Sequence, residues 1–328
     1  MKKYILLYLF TVGSLTSFAQ TIDVVVGLNM PSHLLLDGNT LYFTDASNLS
    51  KLDISVNNPV VEVVASGLSD PKGMALKDDV MFIAEFGAGK IVKLDLTDPV
   101  PIAETVVEGL ATPSGLALSG DFLYFSDRNS DIISKLNITD PAPTVIHVIS
   151  GIGGPSDIAI SGNYLYYSEF SFKKNFQNNI TANLAVAIPF TNPLMNPTGI
   201  DVFGNKLFVA ELDASRALSF DFATATQTVI VSDLILPVEV AANATTLFII
   251  EFGVNKIVKY EMLAGVEENL LETTVLFPNP SHETIQLSNL KMPCQYSIHS
   301  VLGNKVAAGT VAQMRISILG NSKMELIF

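Results

Sequence analysis

The stretch PSGLALSGDFLYFSD, residues 113–127, contains the pattern from which the fold can be predicted. A proline opens an apolar segment, the cluster Ser119-Gly120-Asp121 turns the chain, and a second apolar segment ends in an acid. The same proline-to-acid spacing recurs six times, at nearly constant steps along the chain. The prolines are Pro31, Pro71, Pro113, Pro155, Pro197 and Pro237, and the acids are Asp45, Glu85, Asp127, Glu169, Glu211 and Glu251. A period of roughly 40 residues with paired apolar segments is typical of β-propeller blades.

Each repeat contains four strand-like segments, which is the number of strands in one propeller blade. The sixth repeat stops near Leu263 without a fourth segment, whereas Ile22–Val26 at the start of the chain has the character of one. We therefore expect the N-terminal strand to complete the last blade. Closing the ring in this way protects strand edges that would otherwise be open to aggregation. The predicted propeller spans residues 20–263.

The repeats resemble those of the six-bladed NHL and YWTD propellers. Each has a proline, a short apolar run, a turn and an apolar pentapeptide ending in an acid, as in Pro197–Ile200 with Leu207–Glu211, or Pro71–Ala75 with Glu85. The resemblance covers about residues 22–263 and implies an all-β, six-bladed propeller. The tryptophan of the YWTD motif is replaced by Phe43, Ile83, Phe125, Tyr167, Val209 and Ile249.

The six acids should form a ring on one face of the disc, because a hairpin brings its two ends to the same edge. One hypothesis is a cation or sugar site near the central channel. The other is a structural role, in which each acid accepts hydrogen bonds from the neighbouring loop, as the resemblance to YWTD repeats implies. A residue that recurs in every blade favours the structural role.

The fourth repeat departs most from the others and supplies the candidate binding residues. After Glu169 the loop is aromatic and basic, where other repeats have small polar residues. The candidates are Phe170, Phe172, Lys173, Lys174 and Phe176. Such a group suits a contact patch, although the rings could equally fold back onto the blade. His33, two residues after Pro31, is a further candidate as a base or ligand near the channel, or as a hydrogen-bonded filler.

The composition excludes several classes of function. The net charge of −13 disfavours nucleic acid as a partner. The single cysteine, Cys294, rules out an intrachain disulfide. We find no linear motif for a serine hydrolase, a zinc protease, an EF-hand or a dinucleotide site. The sequence therefore predicts no catalytic residue, no metal ligand and no cofactor, with a divalent cation left open.

Residues 1–19 have the features of a secretory signal peptide. Lys2 and Lys3 precede an apolar run over Tyr4–Phe18, and Ser17 and Ala19 fit a small-residue cleavage site. We expect the signal to be removed, the mature protein to have no transmembrane segment, and its location to be secreted or on the outer cell surface.

The C-terminal part differs from the repeats. Residues 264–274 read as a linker. Residues 275–328 contain short segments in which apolar and polar residues alternate, which predicts β-strands. The sequences PNPS at 278–281 and YSIHSVLGNKV at 296–306 resemble the C-terminal sorting domain of type IX (Por) secretion substrates. The resemblance implies a small β-sandwich that engages the type IX machinery. Its motif residues here are Pro278, Asn279, Pro280, Leu302 and Gly303.

Together these features predict an exported propeller that acts as a binding module for an unidentified extracellular protein or glycan. The alternative is a propeller enzyme, such as a metal-dependent lactonase-like hydrolase. Channel-lining acids and histidine with a bound metal would indicate the enzyme, whereas an apolar channel and an exposed patch would indicate the binding module.

Overall fold

The computed structural model describes residues 21–170, 174–180, 188–189 and 194–262, and the backbone of six strands between residues 275 and 327. The chain divides into two compact units. Residues 19–262 form one, and residues 1–18 with 263–328 form the other. Each is described separately below.

The first unit is built from four-stranded antiparallel sheets that follow one another along the chain. Its strands begin with β1 (Ile22–Val26), then β2 (Pro31–Asp37), β3 (Thr40–Asp45), β4 (Asn48–Asp53), β5 (Glu62–Ser66), β6 (Pro71–Lys77), β7 (Val80–Glu85), β8 (Lys90–Asp95), β9 (Glu104–Glu108), β10 (Pro113–Ser119), β11 (Phe122–Asp127), β12 (Ile132–Asn137) and β13 (Ile146–Ser150). They continue with β14 (Pro155–Ser161), β15 (Tyr164–Glu169), β16 (Lys174–Asn179), β17 (Ile188–Pro189), β18 (Pro197–Phe203), β19 (Lys206–Glu211), β20 (Arg216–Asp221), β21 (Gln227–Val231), β22 (Pro237–Ala242), β23 (Thr246–Glu251) and β24 (Lys256–Glu261). Short 3₁₀ turns lie at Arg128–Ser130 and Phe252–Val254.

The proline-to-acid spacing is a hairpin, as predicted. In each of these sheets the proline that opens the first strand pairs across the ladder with the acid that closes the second, as Pro113 does with Asp127. The register shifts just after every one of these prolines, because proline has no N–H to donate to the ladder. All of the acids therefore lie at the same end of their sheets.

The N-terminal strand closes the last sheet, which confirms the expectation from the sequence. β1 pairs antiparallel with β24, and the sheet order is β1-β24-β23-β22. The Leu28 N–H donates to the Asn255 carbonyl at 3.0 Å, and Lys256 Nζ lies 2.8 Å from Asp23 Oδ1. The two ends of the propeller unit are therefore held together by strand pairing.

The sheets are arranged as a β-propeller. The first strand of each sheet (β2, β6, β10, β14, β18 and β22) contacts the first strand of the next sheet, and β22 contacts β2. Five of the sheets have four strands of five to seven residues, whereas the fourth strand of the β14-β15-β16 sheet is the two-residue β17. The inner strands therefore surround a central channel.

The core lies between neighbouring sheets. On the second strand of each sheet, the side chains four and two residues before the acid are fully buried, such as Leu123 and Phe125 before Asp127. The side chains that replace the YWTD tryptophan are among them, from Phe43 to Ile249, each with 0% exposure. Truncating one of these leucines to alanine would cost about 2–5 kcal/mol. Packing of this kind holds the channel walls in place.

The predicted loop after Glu169 is shorter than the sequence suggested. The backbone of Lys174–Asn179 forms β16, in which Phe176 pairs with Tyr167 and with Pro189. The prediction that Lys174 and Phe176 belong to a loop is therefore wrong. The segment Lys174–Asn179 contains a single apolar residue, Phe176, so its sequence pattern did not indicate a strand. Phe172 and Lys173 lie outside the described residues.

The second unit also contains β-strands. β25 (Val275–Phe277), β26 (Thr284–Ser288), β29 (Met314–Leu319) and β30 (Lys323–Ile327) form one antiparallel sheet, and β27 (Cys294–His299) pairs with β28 (Lys305–Val311). The predicted signal peptide, the linker and the motif residues Pro278, Asn279, Pro280, Leu302 and Gly303 lie outside the described residues. Among the described residues no helix has the length and apolarity to cross a membrane.

Candidate functional site in the channel

The inner strands differ from one another most clearly at one position, two residues after the proline. Three sheets have glycine there, and the other three have an ionisable side chain. The glycines are Gly73, Gly115 and Gly199, and the ionisable residues are His33, Asp157 and Glu239. A position that breaks the repeat in this way is not explained by the needs of the blade, which are the same in every sheet. It is therefore the strongest candidate for a functional site.

The glycines make room for the two carboxylates. A Cβ atom on Gly115 would lie 2.6 Å from Asp157 Oδ1, and a Cβ atom on Gly199 would lie 2.3 Å from Glu239 Oε1. Both distances are far below contact distance, so any larger residue would displace the acid or its strand. The same Cβ atoms would also meet neighbouring backbone, as would one on Gly73, so glycine at these three positions is a steric requirement of the closely spaced inner strands.

The three ionisable side chains meet in the middle of the channel. His33, Asp157 and Glu239 are 9%, 4% and 3% exposed, and one potential ligand atom from each lies within 4.8 Å of the others. His33 Nδ1 lies 2.7 Å from Glu239 Oε2. We call these three residues the channel triad.

Backbone amides fix the two acids. The Ile200 N–H donates to Asp157 Oδ2 at 2.8 Å, and the Val240 N–H donates to Glu239 Oε1 at 2.9 Å. The Asp157 N–H itself donates to Ser168 Oγ at 3.1 Å. Asp157 Oδ1 is buried and has no hydrogen-bond partner. One oxygen of Asp157 is thus anchored, and the other is available to a ligand.

Burial changes the protonation of the triad. It raises the pKa of Asp157 to about 8, with a further upward contribution from Glu239. It also raises the pKa of Glu239 well above its usual value and lowers the pKa of His33. Near neutral pH these shifts favour a protonated Asp157 carboxyl group and a neutral His33 imidazole in the unliganded site. Such displaced pKa values are common at functional sites.

The channel widens on both sides of the triad. On the side away from the prolines, a cavity of about 340 Å³ is lined mainly by aliphatic residues and by Asp201. Burial raises the pKa of Asp201, and its Oδ2 accepts the Ala242 N–H at 2.7 Å. That carboxyl group therefore accepts a hydrogen bond from the channel wall.

On the proline side, a cavity of about 430 Å³ reaches from the triad to the surface. We call it the mouth cavity. Its walls combine the triad with apolar and basic side chains from the loops that follow the acids. These include Phe86, Arg128, Leu212 and Phe252, each of which directly follows one of the acids. The mouth cavity therefore has the mixed apolar and polar lining of a small-molecule site.

Two basic side chains, Lys72 and Arg128, line the mouth cavity, and they differ in their contacts with acidic groups. Lys72 Nζ lies 2.9 Å from Asp70 Oδ1, so its charge is balanced. The Arg128 guanidinium stacks on the Phe170 ring at 4.4 Å from its centroid. Burial lowers the pKa of Arg128, and no described carboxylate contributes in the opposite direction. Arg128 is therefore the cation available to an anionic ligand.

Five of the six ring acids accept a backbone N–H from the loop that precedes their own inner strand. Glu85 Oε1 accepts the Ser69 N–H at 2.7 Å, and the amides of Asn29, Ala111, Met195 and Ile235 donate in the same way to their own acids. Each donor lies two residues before the proline of its sheet. These five acids therefore fasten the loop that enters the inner strand of their own sheet.

Two of the candidate residues named from the sequence, His33 and Phe170, lie at or beside the channel site. His33 lies in the channel triad, and Phe170 contacts Arg128 beside the mouth cavity. Asp157 and Glu239 were missed, because a single carboxylate within one repeat does not stand out. A comparison of the residue two positions after each proline would have found both.

Comparison with known proteins supports the fold. No family model matches the chain, and no curated protein matches it in sequence. Among solved structures, it resembles an auxiliary nutrient binding protein from Bacteroides thetaiotaomicron, with a TM-score of 0.62, 13% identity and coverage of 71% of this chain and 69% of that one. The protein of the same description from Bacteroides ovatus has a TM-score of 0.61 and 11% identity, covering 79% and 75%.

A lyase shares the same architecture. Virginiamycin B lyase from Staphylococcus aureus, solved with quinupristin, has a TM-score of 0.56 and 13% identity, covering 74% of this chain and 99% of that one. At such identities the similarity establishes the propeller fold alone, and the function must be argued from the site.

Proposed function

We propose that the protein is an exported β-propeller binding module whose ligand occupies the mouth cavity. The observation that carries the proposal is the break in the repeat at the channel triad, which opens into a cavity of about 430 Å³. The ligand that fits is a small molecule with an apolar part and an anionic group. Phe86, Leu212 and Phe252 would contact the apolar part, and Arg128 would pair with the anion.

The similarity to two propellers described as nutrient binding proteins supports a binding role. The partly buried Arg128 supports an anionic ligand, since a guanidinium forms paired hydrogen bonds with carboxylates. The apolar rim supports a ligand larger than a simple ion.

The test is a binding screen of the full chain with small aromatic and aliphatic carboxylates, followed by calorimetry on the compounds that bind. Arg128→Gln should weaken binding at least tenfold, the order expected for losing a charged hydrogen bond. Lys135→Gln is the matched control, since Lys135 also stacks on an aromatic ring, 4.6 Å from the Phe122 centroid, but does not line the mouth cavity. Equal affinities of the two variants would reject the proposed site.

A hydrolase is the second candidate, favoured by a neutral imidazole beside buried carboxyl groups in an accessible cavity. It corresponds to the lactonase-like alternative drawn from the sequence. Turnover of lactones or esters that disappears in His33→Gln would support it. If the protein binds carboxylates but does not turn over the matching esters, the hydrolase is rejected and the binding module is supported.

We also propose that the propeller has six blades, with β14, β15, β16 and β17 as the blade of the fourth repeat. The inner strand β14 supports this count, since it contacts both β10 and β18 within the closed series of first strands. A crystal structure of the full chain would test it. A fourth repeat lying outside the ring would contradict it.

We propose that residues 275–328 direct export through the type IX machinery, after removal of a signal peptide at residues 1–19. The PNPS motif at 278–281 and the segment at 296–306 support this route. In a host with type IX secretion, the full chain should reach the cell surface or medium. A chain ending at residue 274 should be retained in the periplasm, and equal export of the two would reject the route.

An extracellular protein or glycan remains the proposed partner of the aromatic and basic segment after Glu169. Surface binding should fall when Phe172, Lys173, Lys174 and Phe176 are all replaced by alanine. Unchanged surface binding by that variant would reject this segment as a binding site, and the mouth cavity would then be the remaining proposed site.

A further inference from the structure

We propose that His33, Asp157 and Glu239 bind a divalent transition-metal ion at the centre of the channel. This site goes beyond the proposed binding function and does not depend on it, because it needs no organic ligand. It rests on the spacing of the three side chains, on a buried oxygen without a partner and on the space that the glycines provide.

The spacing of the donor atoms suits one small ion. One donor atom from each residue lies within 4.8 Å of the others, and His33 Nδ1 and Glu239 Oε2 are 2.7 Å apart. Zinc binds imidazole nitrogen and carboxylate oxygen at about 2.0–2.2 Å, so donor atoms on one ion are about 3.0–3.5 Å apart. The observed positions therefore need to move by roughly an ångström or less. In the bound state the ion would replace the proton between His33 and Glu239.

The unsatisfied oxygen of Asp157 is the second observation. Asp157 is 4% exposed, and its Oδ1 has no hydrogen-bond partner, although its Oδ2 accepts the Ile200 N–H. Leaving a buried carboxylate oxygen unpaired is costly, and a bound ion would remove that cost. Glu239 is arranged alike, with Oε1 bound to the Val240 N–H and Oε2 directed to the triad. Backbone anchors of this kind orient metal ligands.

The surroundings leave a coordination position free. His33, Asp157 and Glu239 all border the mouth cavity, as do Gly73, Gly115 and Gly199. Because glycine has no side chain, these three residues do not cover the proposed ion position on the side of the mouth cavity. Three protein ligands with one open position is the arrangement of sites that accept a water molecule or another ligand.

The donor set selects the class of metal. One imidazole and two carboxylates favour zinc, manganese, iron or cobalt, whereas calcium takes six to eight oxygen ligands and magnesium retains several waters. Two carboxylates beside a neutral imidazole also balance the charge of a divalent ion. Asp201 lies beyond the triad, is bound to the Ala242 N–H, and is outside the proposed ligand set.

The experiment measures zinc content and affinity in untagged protein made from the full chain. After exposure to Zn²⁺ and dialysis against metal-free buffer, elemental analysis should find one zinc per chain. Asp157→Asn and Glu239→Gln should each weaken zinc binding at least tenfold. Asp201→Asn is the matched control and should keep the wild-type stoichiometry. Cobalt should bind with visible absorption bands that His33→Gln shifts or abolishes.

Several results would overturn the site. These are the absence of stoichiometric zinc in the wild type, full retention of zinc by Asp157→Asn, or stoichiometric Ca²⁺ or Mg²⁺ in place of zinc. Circular dichroism of each variant separates a lost ligand from a lost fold, and the wild-type cobalt spectrum decides the question if a variant does not fold. Because no carboxylate ligand enters the assay, its outcome is independent of the test of the mouth cavity.

Discussion

Replacing Asp157 by asparagine should stabilise the metal-free protein at neutral pH. Asparagine is nearly the same size, and its amide oxygen could still accept the Ile200 N–H that now lies 2.8 Å from Asp157 Oδ2. What the substitution removes is a carboxyl group that must either hold a proton or be charged in a buried site. The effect therefore depends on pH in a way that the structure specifies.

The magnitude follows from the pKa of Asp157, which burial raises to about 8 in the folded protein. An unfolded aspartate has a pKa near 3.9, so the folded chain binds the proton more tightly. Below about pH 4 the group is protonated in both states and costs nothing. Between about pH 4 and pH 8 the free energy of unfolding falls by about 1.4 kcal/mol per pH unit, which amounts to about 4 kcal/mol at pH 7.

The assay is urea denaturation of wild type and Asp157→Asn in EDTA, from pH 4.5 to 8.5. The variant should lose the share of the downward slope that Asp157 contributes, while Glu239, whose pKa is also raised, keeps its own share, and the variant should be more stable than wild type at pH 7. Asp53→Asn, an exposed aspartate bonded to Ser55, is the control and should keep the slope. The reasoning is refuted if Asp157→Asn is less stable than wild type at pH 7, or if its slope equals that of wild type.

Three further predictions concern the propeller itself. Glu85→Ala should lower the free energy of unfolding by about 1.5–3 kcal/mol, because it leaves the Ser69 N–H without its acceptor and Lys90 without its ion-pair partner, and urea denaturation would measure it. Deletion of residues 20–28 should destabilise the whole unit, because it removes β1 from the last sheet; a melting temperature equal to wild type would show that closure is unimportant. Gly115→Ala should cost about 1–3 kcal/mol, because its Cβ would lie 2.7 Å from the backbone of both Asp157 and Ile158, and urea denaturation would measure the loss.

The architecture was predictable because its signals are local and repeated. Each proline and the acid that follows it are the two ends of one hairpin, so the pairing of Pro113 with Asp127 follows from a short stretch of chain. Closure by β1 could be inferred because the last repeat lacked a strand that the first residues could supply. The hypothesis that the acids are structural rested on their recurrence, since a residue required in every blade belongs to the blade.

The channel triad was only partly predictable. His33 stood out as a rare residue near the channel, but Glu239, its partner, lies 206 residues away in the sequence. Their contact is created by the closed ring, which no single repeat contains. The signal was present in the residues two positions after the prolines, three glycines and three ionisable residues, which becomes meaningful once those positions are known to face each other.

In the fourth repeat, the sequence analysis took a strand for a loop. Lys174–Asn179 is polar enough to read as a loop, yet it forms β16 because its neighbour β15 provides a full antiparallel edge. Tertiary pairing here outweighs a weak local pattern. The lesson for repeat proteins is that the position of a segment within the repeat is better evidence than its own composition.

The central claim is that function lies in the channel triad and that the ring of acids is structural. Anomalous diffraction from crystals of the full chain grown with Zn²⁺ tests it most directly. The account predicts one strong peak in the channel, about 2.0–2.2 Å from donor atoms of His33, Asp157 and Glu239. A peak bound to Glu85 or its counterparts in the acid ring, or a channel without any peak, would contradict it.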